Sequence, residues 1–221
     1  MSKYLIRSLA VAAVLSAVAA GTASAGVIWN FASLAGNSNA NTSLGDTYTF
    51  NQSGLWVMAQ SVVPTWTVAS GACSSADPCL FDKVTTGVPT ETGLGLTPGL
   101  NNEINSPDGI ALTTTPGNHF SSLMIGSVQT GETWALAGCS ATYTSCTTFD
   151  SGAGTTNDTV SITNLLSNPY ASYIVYIPSA GVPNDNVLIL SATTVPEPGT
   201  LAFMAAGLFG LGWMIRRRRI N

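Results

Sequence analysis

Thr47-Tyr48-Thr49-Phe50 followed, across Asn51-Gln52-Ser53-Gly54, by Leu55-Trp56-Val57-Met58-Ala59-Gln60-Ser61-Val62-Val63 is the stretch on which the fold turns. Side chains two apart in an extended chain share a face, so Tyr48 and Phe50 point the same way, toward a core that Trp56 and its apolar neighbours are expected to join. The same texture recurs outward from this stretch in both directions. It predicts strands over Val27 to Phe31, Thr47 to Phe50, Leu55 to Val63, Trp66 to Ala69, Leu80 to Val84, Ile110 to Thr114, Ser122 to Val128, Thr133 to Ala137, Thr159 to Thr163, Ser172 to Ile177 and Val187 to Ser191. Leu123, Ile125 and Val128 share a face only if a bulge intervenes at Gly126. Between Gly26 and Thr194 nothing carries apolar residues at helical spacing between caps. Loops fall where turn chemistry is dense: Asn37 to Asn41, Thr97-Pro98-Gly99, Asn105 to Gly109 and Ser151 to Gly154. Many short strands with polar turns predict an all-β chain, a single β-sandwich for which the jelly roll is one form. No internal repeat is present, so no solenoid is implied.

Both ends differ from this middle. Lys3 and Arg7 precede an apolar run from Leu9 to Ala20, and Ala23-Ser24-Ala25 supplies a small-x-small site, the layout of a signal peptide cut by signal peptidase after Ala25. At the other end Leu201 to Ile215 is free of charge. As a helix it reaches roughly 22 Å at about 1.5 Å per residue, thin against a hydrocarbon core of about 30 Å. Arg216, Arg217, Arg218 and Arg219 follow it, and such basic flanks stay cytoplasmic while their stems snorkel. The expected organisation is a signal peptide over 1–25, an exported domain over 26–194 and a C-terminal segment over 195–221, the last inserting transiently in the inner membrane.

Val195-Pro196-Glu197-Pro198-Gly199-Thr200-Leu201, the glycine-containing apolar helix over 201–215 and the basic stop over 216–219 together resemble a PEP-CTERM sorting signal. The resemblance implies a partner, exosortase, an integral membrane cysteine transpeptidase of Gram-negative bacteria that make exopolysaccharide. It implies delivery to the cell surface or extracellular matrix. The residues suit that role: Pro198 pushes Glu197 out of the α region and neither proline offers an N–H, so the site stays extended and able to enter a protease cleft.

Lys83 is the sole Lys or Arg between Gly26 and Thr194, whereas of eleven Asp and Glu only Glu197 falls outside that span. So acidic a surface repels nucleic-acid phosphates, which excludes a DNA or RNA role, and repels an acidic polysaccharide unless divalent cations bridge the two. Four cysteines in an exported chain imply disulfides, and the short spacings favour the local pairs Cys73 with Cys79 and Cys139 with Cys146 over zinc, for which the spacing is long and no nearby histidine completes a set.

Chemistry is sparse. His119, the one histidine, reads as a surface turn residue, since no G-x-S-x-G frames a nucleophile for it. Glu91 and Glu103 flank a Gly-rich stretch and are the best pair for a secreted glycoside hydrolase, though acids in such places usually sit on solvated loops. Glu91-Thr92-Gly93-Leu94-Gly95-Leu96 with Asn101-Asn102-Glu103-Ile104-Asn105 resembles an E-x-G-L-G-L…N-E-I-N pattern of many PEP-CTERM surface proteins, and the resemblance brings no activity. Here Gly93 and Gly95 permit a bulge or close backbone approach. Asn101, Glu103, Asn105 and Asp108 are a weak Ca2+ set, with Asx turns the commoner outcome and no other cofactor implied. Trp29, Trp56, Trp66 and Trp134 are available to stack on sugars. The leading expectation is a non-enzymatic surface or matrix protein of the exopolysaccharide or biofilm layer, with a carbohydrate-binding module as the alternative.

Overall fold

The structure is a computed structural model that describes residues 26–34, 41–63, 65–85, 91–98, 100–154, 158–167, 170–178, 185–197 and 207. The expected signal peptide with Ala23 and Ala25, Pro198 of the expected processing site, all of the expected membrane segment but Gly207, and Arg216 to Arg219 lie outside the described residues. Residues Val27–Thr194 form one compact unit.

Among the described residues fifteen strands make two sheets. In chain order they are β1 (Val27–Asn30), then a single helical turn α1 (Phe31–Leu34), β2 (Thr42–Gly45), β3 (Thr47–Gln52), β4 (Leu55–Val63), β5 (Thr67–Val68), β6 (Cys79–Val84), β7 (Thr92–Thr97), β8 (Ile104–Asn105), β9 (Gly109–Thr114), β10 (Asn118–Val128), β11 (Thr133–Cys139), β12 (Cys146–Ala153), β13 (Asp158–Ile162), β14 (Ser172–Tyr176) and β15 (Asn186–Pro196). One sheet has the order β13-β10-β15-β7-β6-β2, with β1 and β8 also on β15; the other has β12-β11-β14-β9-β4-β3, with β5 on β4.

Four antiparallel pairs nest one inside another along the chain: β11 with β12, β10 with β13, β9 with β14, and β7 with β15. Successive pairs alternate between the two sheets, so one long folded ribbon wraps into a sandwich, which is a jelly roll. The strands β3 and β4 widen one sheet and β2 and β6 the other.

Alternation decides what fills the gap. Phe50, Val57, Ile110, Leu112, Leu136, Tyr173 and Val175 from one sheet meet Trp29, Leu80, Leu94, Leu96, Leu123, Ile125 and Ile189 from the other in a single buried cluster. The bulge expected at Gly126 is present as a register shift between Ile125 and Val128, with Ser127 at φ 60, and it keeps Leu123, Ile125 and Val128 all in the core. A smaller apolar cluster of Val62, Ala111, Ala137, Cys139, Tyr143 and Ile174 lies on the alternate positions of the second sheet, with Trp66 and Tyr176 packed against it.

Several expectations need correction. The first strand stops at Asn30, because Phe31 turns into α1 to meet Phe50, ring centroids 4.9 Å apart. Thr65 and Trp66 take positive φ and form a turn, which shortens the strand expected over Trp66 to Ala69 to Thr67–Val68. The structure adds β2, β7, β8 and β12 to the strands the sequence predicts. Ser151 to Ala153, expected as loop, belong to β12, where Gly152 leaves room for the Trp134 ring, 3.0 Å from the place a Cβ would occupy. Trp56 is half-buried and takes no part in the core, since its neighbour Val57 is the inward residue.

Both local disulfides are present, Cys73 to Cys79 and Cys139 to Cys146. Cys139 and Cys146 stand opposite each other in the β11–β12 ladder, so that bond closes a hairpin the backbone already forms. In the chain-entropy account loops this short are worth about 2 to 3 kcal/mol each.

The first and last strands are partners. Val27 pairs with Thr194, and the buried Trp29 Nε1–H donates to Thr194 Oγ1 at 2.9 Å. The folded unit therefore starts and ends on adjacent strands, and β15 carries the chain onward through Val195 and Pro196 to Glu197.

Candidate functional site: a buried lysine between two glutamates

The one Lys or Arg in the sequence between Gly26 and Thr194 is buried. Lys83 is 5% exposed. It lies on β6 opposite Gly93 of β7, and along β7 the inward Leu94 and Leu96 alternate with Gly93 and Gly95. With no side chains at those two positions, another stretch of backbone comes down onto β7. A Cβ on Gly95 would lie 2.1 Å from Asn102 O and 2.9 Å from Glu103 Cα. The chain makes this crossing just after a 3-10 turn at Leu100–Asn102, in which Asn101 and Asn102 take positive φ. It is then pinned by β8, where Asn105 and Ile104 pair with Asn186 and Val187 of β15.

The crossing delivers Glu103 to Lys83. The Lys83 ammonium donates to Glu103 Oε1 in direct contact and to Glu91 Oε2 at 2.6 Å. Ser127, held at the bulge of β10, places its hydroxyl 3.2 Å from Glu91 Oε1 and 3.2 Å from Glu103 Oε1. Glu103 is 1% exposed, and its second oxygen, Oε2, is buried without a hydrogen-bond partner.

The electrostatics divide the two acids. Burial opposes charge on Lys83, but its contacts with Glu103 and Glu91 prevail and hold its pKa above the ordinary value. Burial also works against Glu91, where the hydrogen bond and charge of Lys83 win and keep the carboxylate ionised below its usual range. At Glu103 burial dominates over the opposing pull of Lys83, and the neighbouring Glu91 charge adds to it, pushing the pKa up to about 7. Of the two carboxyls, Glu103 therefore keeps its proton to higher pH than Glu91.

The consequence for stability has a definite sign. Asp82 and Asp108 are each pushed up to about 6 by burial, alongside Glu103 at about 7. A raised acid pKa stabilises the fold fully below the unfolded value, 4.5 for Glu103 and 3.8 for the aspartates, and that contribution is lost as pH rises through the folded value. Glu91 and Asp77, both lowered, act the other way in more acidic solution. The melting temperature in a pH series is expected to peak near pH 4.5 and fall toward neutral pH; a melting temperature that climbs between about pH 5 and 7 contradicts this.

The sequence nominated Glu91 and Glu103 as an acid pair, and the structure does bring them together. They are not on a solvated loop, as acids there were expected to be, and they face a lysine rather than a cleft. Of the residues named for Ca2+, Glu103 contacts Lys83, Asn101 is exposed, and the Asn105 backbone O accepts from the Asp108 N–H at 2.9 Å in a local turn. No group of three His, Cys, Asp or Glu that could hold a metal occurs among the described residues. His119 sits half-buried within β10 and not in a surface turn. Trp29 and Trp134 are core residues, at 0% and 5% exposure, which removes them from any sugar-stacking role and leaves Trp56 and Trp66. Lys83 and Ser127 were not nominated. The signal for Lys83 was its isolation, one cation among many acids; Ser127 had none, because its position depends on the bulge.

Residues 194–219 match the family model of the PEP-CTERM protein-sorting motif. Comparison with curated proteins finds no match. The chain therefore carries a PEP-CTERM sorting signal and is an exported protein handled by exosortase, destined for the bacterial cell surface or exterior. The motif begins at the last residue of β15 that pairs with β1, so it takes over where the folded ladder ends.

Proposed function

We propose that this PEP-CTERM-bearing chain is a non-enzymatic surface or matrix protein of the exopolysaccharide or biofilm layer, cut by signal peptidase after Ala25 and by exosortase at Val195-Pro196-Glu197-Pro198. Transit runs through an inner-membrane intermediate of a Gram-negative bacterium. The observation that carries the proposal is the junction: a closed, disulfide-bonded jelly roll whose last strand leads directly into the sorting motif. Its two disulfides suit such a domain to the oxidising conditions outside the cell.

Two features favour a structural over a catalytic role. A glycoside hydrolase opens its carboxyl pair to a sugar, whereas Glu103 is 1% exposed and shares one ammonium with Glu91. Trp66, the better candidate for sugar stacking, meets Tyr176 edge-on at 4.7 Å and packs against the small outer cluster, so it offers less than a free ring face to a glycan.

Intact mass and fractionation of the native protein, with and without exosortase, test the proposal. The released form is expected to lack Arg216 to Arg219 when exosortase is present and to keep them, in the membrane fraction, when it is absent. Retention of the four arginines in the presence of exosortase defeats it. Replacing Pro196, Glu197 and Pro198 together by alanine is expected to give the same membrane-retained product as loss of the enzyme.

A further inference from the structure

We propose that Lys83 and Glu103 condense into an intramolecular amide, a covalent tie between β6 and the backbone segment that crosses β7. This goes beyond the surface-protein role and is independent of how the chain is sorted.

The geometry supplies each part the reaction needs. The nucleophile and electrophile are in direct contact: the Lys83 amine touches the Glu103 carboxyl. A second carboxylate, Glu91, lies 2.6 Å from the same nitrogen and can take its proton. The Ser127 hydroxyl, 3.2 Å from Glu103 Oε1, can donate to the oxygen on which charge develops. Lys83 and Glu103 are 5% and 1% exposed, so the returning reactant, water, is scarce. Groups held in this way react as though at about 10^5 M or more, enough to reverse the ordinary preference for hydrolysis.

The step balances. Starting from Lys83 as ammonium, Glu91 as carboxylate and Glu103 as carboxylic acid, Glu91 takes one proton from the ammonium. The freed amine attacks Glu103 Cδ and the N–C bond forms. The C–O bond to the departing hydroxyl breaks, and the hydroxyl takes a second proton from the nitrogen and leaves as water. The products are a neutral amide, Glu91 as carboxylic acid and one water, with no oxidant or reductant involved.

One feature of the site distinguishes this outcome from a plain ion pair. Glu103 has two oxygens and the site satisfies one; Oε2 is buried without a partner. An amide keeps a single oxygen, which can accept from Ser127, and an N–H, which can donate to Glu91. Condensation thus removes the unsatisfied atom and the buried charge pair together, both of which are costly to keep. Glu103 then ceases to titrate, leaving Asp82 and Asp108 to supply the fall in stability toward neutral pH.

The test is mass spectrometry of the full exported protein, denatured with its disulfides intact and then digested with chymotrypsin. The expected product is a branched peptide joining the segment with Lys83 to the segment with Glu103, lighter by one water than its two parts, and trypsin is expected not to cut after Lys83. Linear peptides with a free Lys83 amine, or water lost from any other residue, overturn the proposal. Glu91→Gln keeps both reacting groups and is expected to slow amide formation by about 100-fold or more, as loss of a proton carrier does. Undiminished amide in folded Glu91→Gln overturns the role given to Glu91, and fold is checked independently by its thermal unfolding transition.

Discussion

Lys83→Met is expected to unfold roughly 10 °C below the parent protein at about pH 8, and the gap is expected to narrow markedly at about pH 4.5. Removing the lysine leaves Glu91 and Glu103 facing each other with no cation, in a site where Glu103 is 1% exposed. Breaking a buried pair by deleting one partner costs about 3 to 5 kcal/mol, because the remaining charge has neither water nor counter-ion. In acid the glutamates become neutral and that cost falls away. The same variant with Glu91→Gln and Glu103→Gln added is expected to recover most of the loss, since no charge is then left unpaired. If Lys83→Met melts as the parent does at about pH 8, the lysine contributes nothing to the fold, as ion pair or as amide. Thermal unfolding at both pH values decides it.

Gly95→Ala is expected to be nearly as damaging, at about 3 kcal/mol, although it adds a single methyl group. The new Cβ would sit 2.1 Å from Asn102 O, a backbone atom, so relief requires lifting the crossing segment off β7. Lifting it carries Glu103 away from Lys83. The effect is expected to be graded by what each added methyl meets. Gly93→Ala, 2.8 Å from Ile189 O, should cost less than Gly95→Ala, and Gly126→Ala, whose nearest neighbours are atoms of the movable Leu190 side chain, should cost least. Equal losses at the three sites in denaturant titration would show that backbone contact at Gly95 is not what holds the segment down.

Strand existence was legible where the side chains themselves carried the period. Leu55 to Val63 was read with both boundaries correct, and the Gly126 bulge followed from three apolar residues that otherwise could not share a face. Gly152 reads as a turn former, while in the fold it is a position of β12 where the Trp134 ring packs; Gly93 and Gly95 read correctly as places of close backbone approach, but two glycines among six residues leave too little side-chain period to announce β7. Composition cannot separate a glycine needed for a turn from one needed for room, because the difference lies in a partner distant along the chain.

The same limit governs the site. The residues themselves determined the all-β class, the local disulfide pairs, the acidic character of the domain and the sorting signal, because each is written in contiguous residues or in counts of residue type. What the tertiary structure alone decided is that β15 runs beside β1 into that signal, and that Lys83, Glu91, Glu103 and Ser127 meet in one buried place. They come from β6, β10, the residue just before β7 and the crossing segment, and their approach depends on two missing side chains and one bulge. Whether a charge is solvated or buried against its opposite is a property of that packing, and it is what turned two unremarkable glutamates into the most chemically loaded point of the domain.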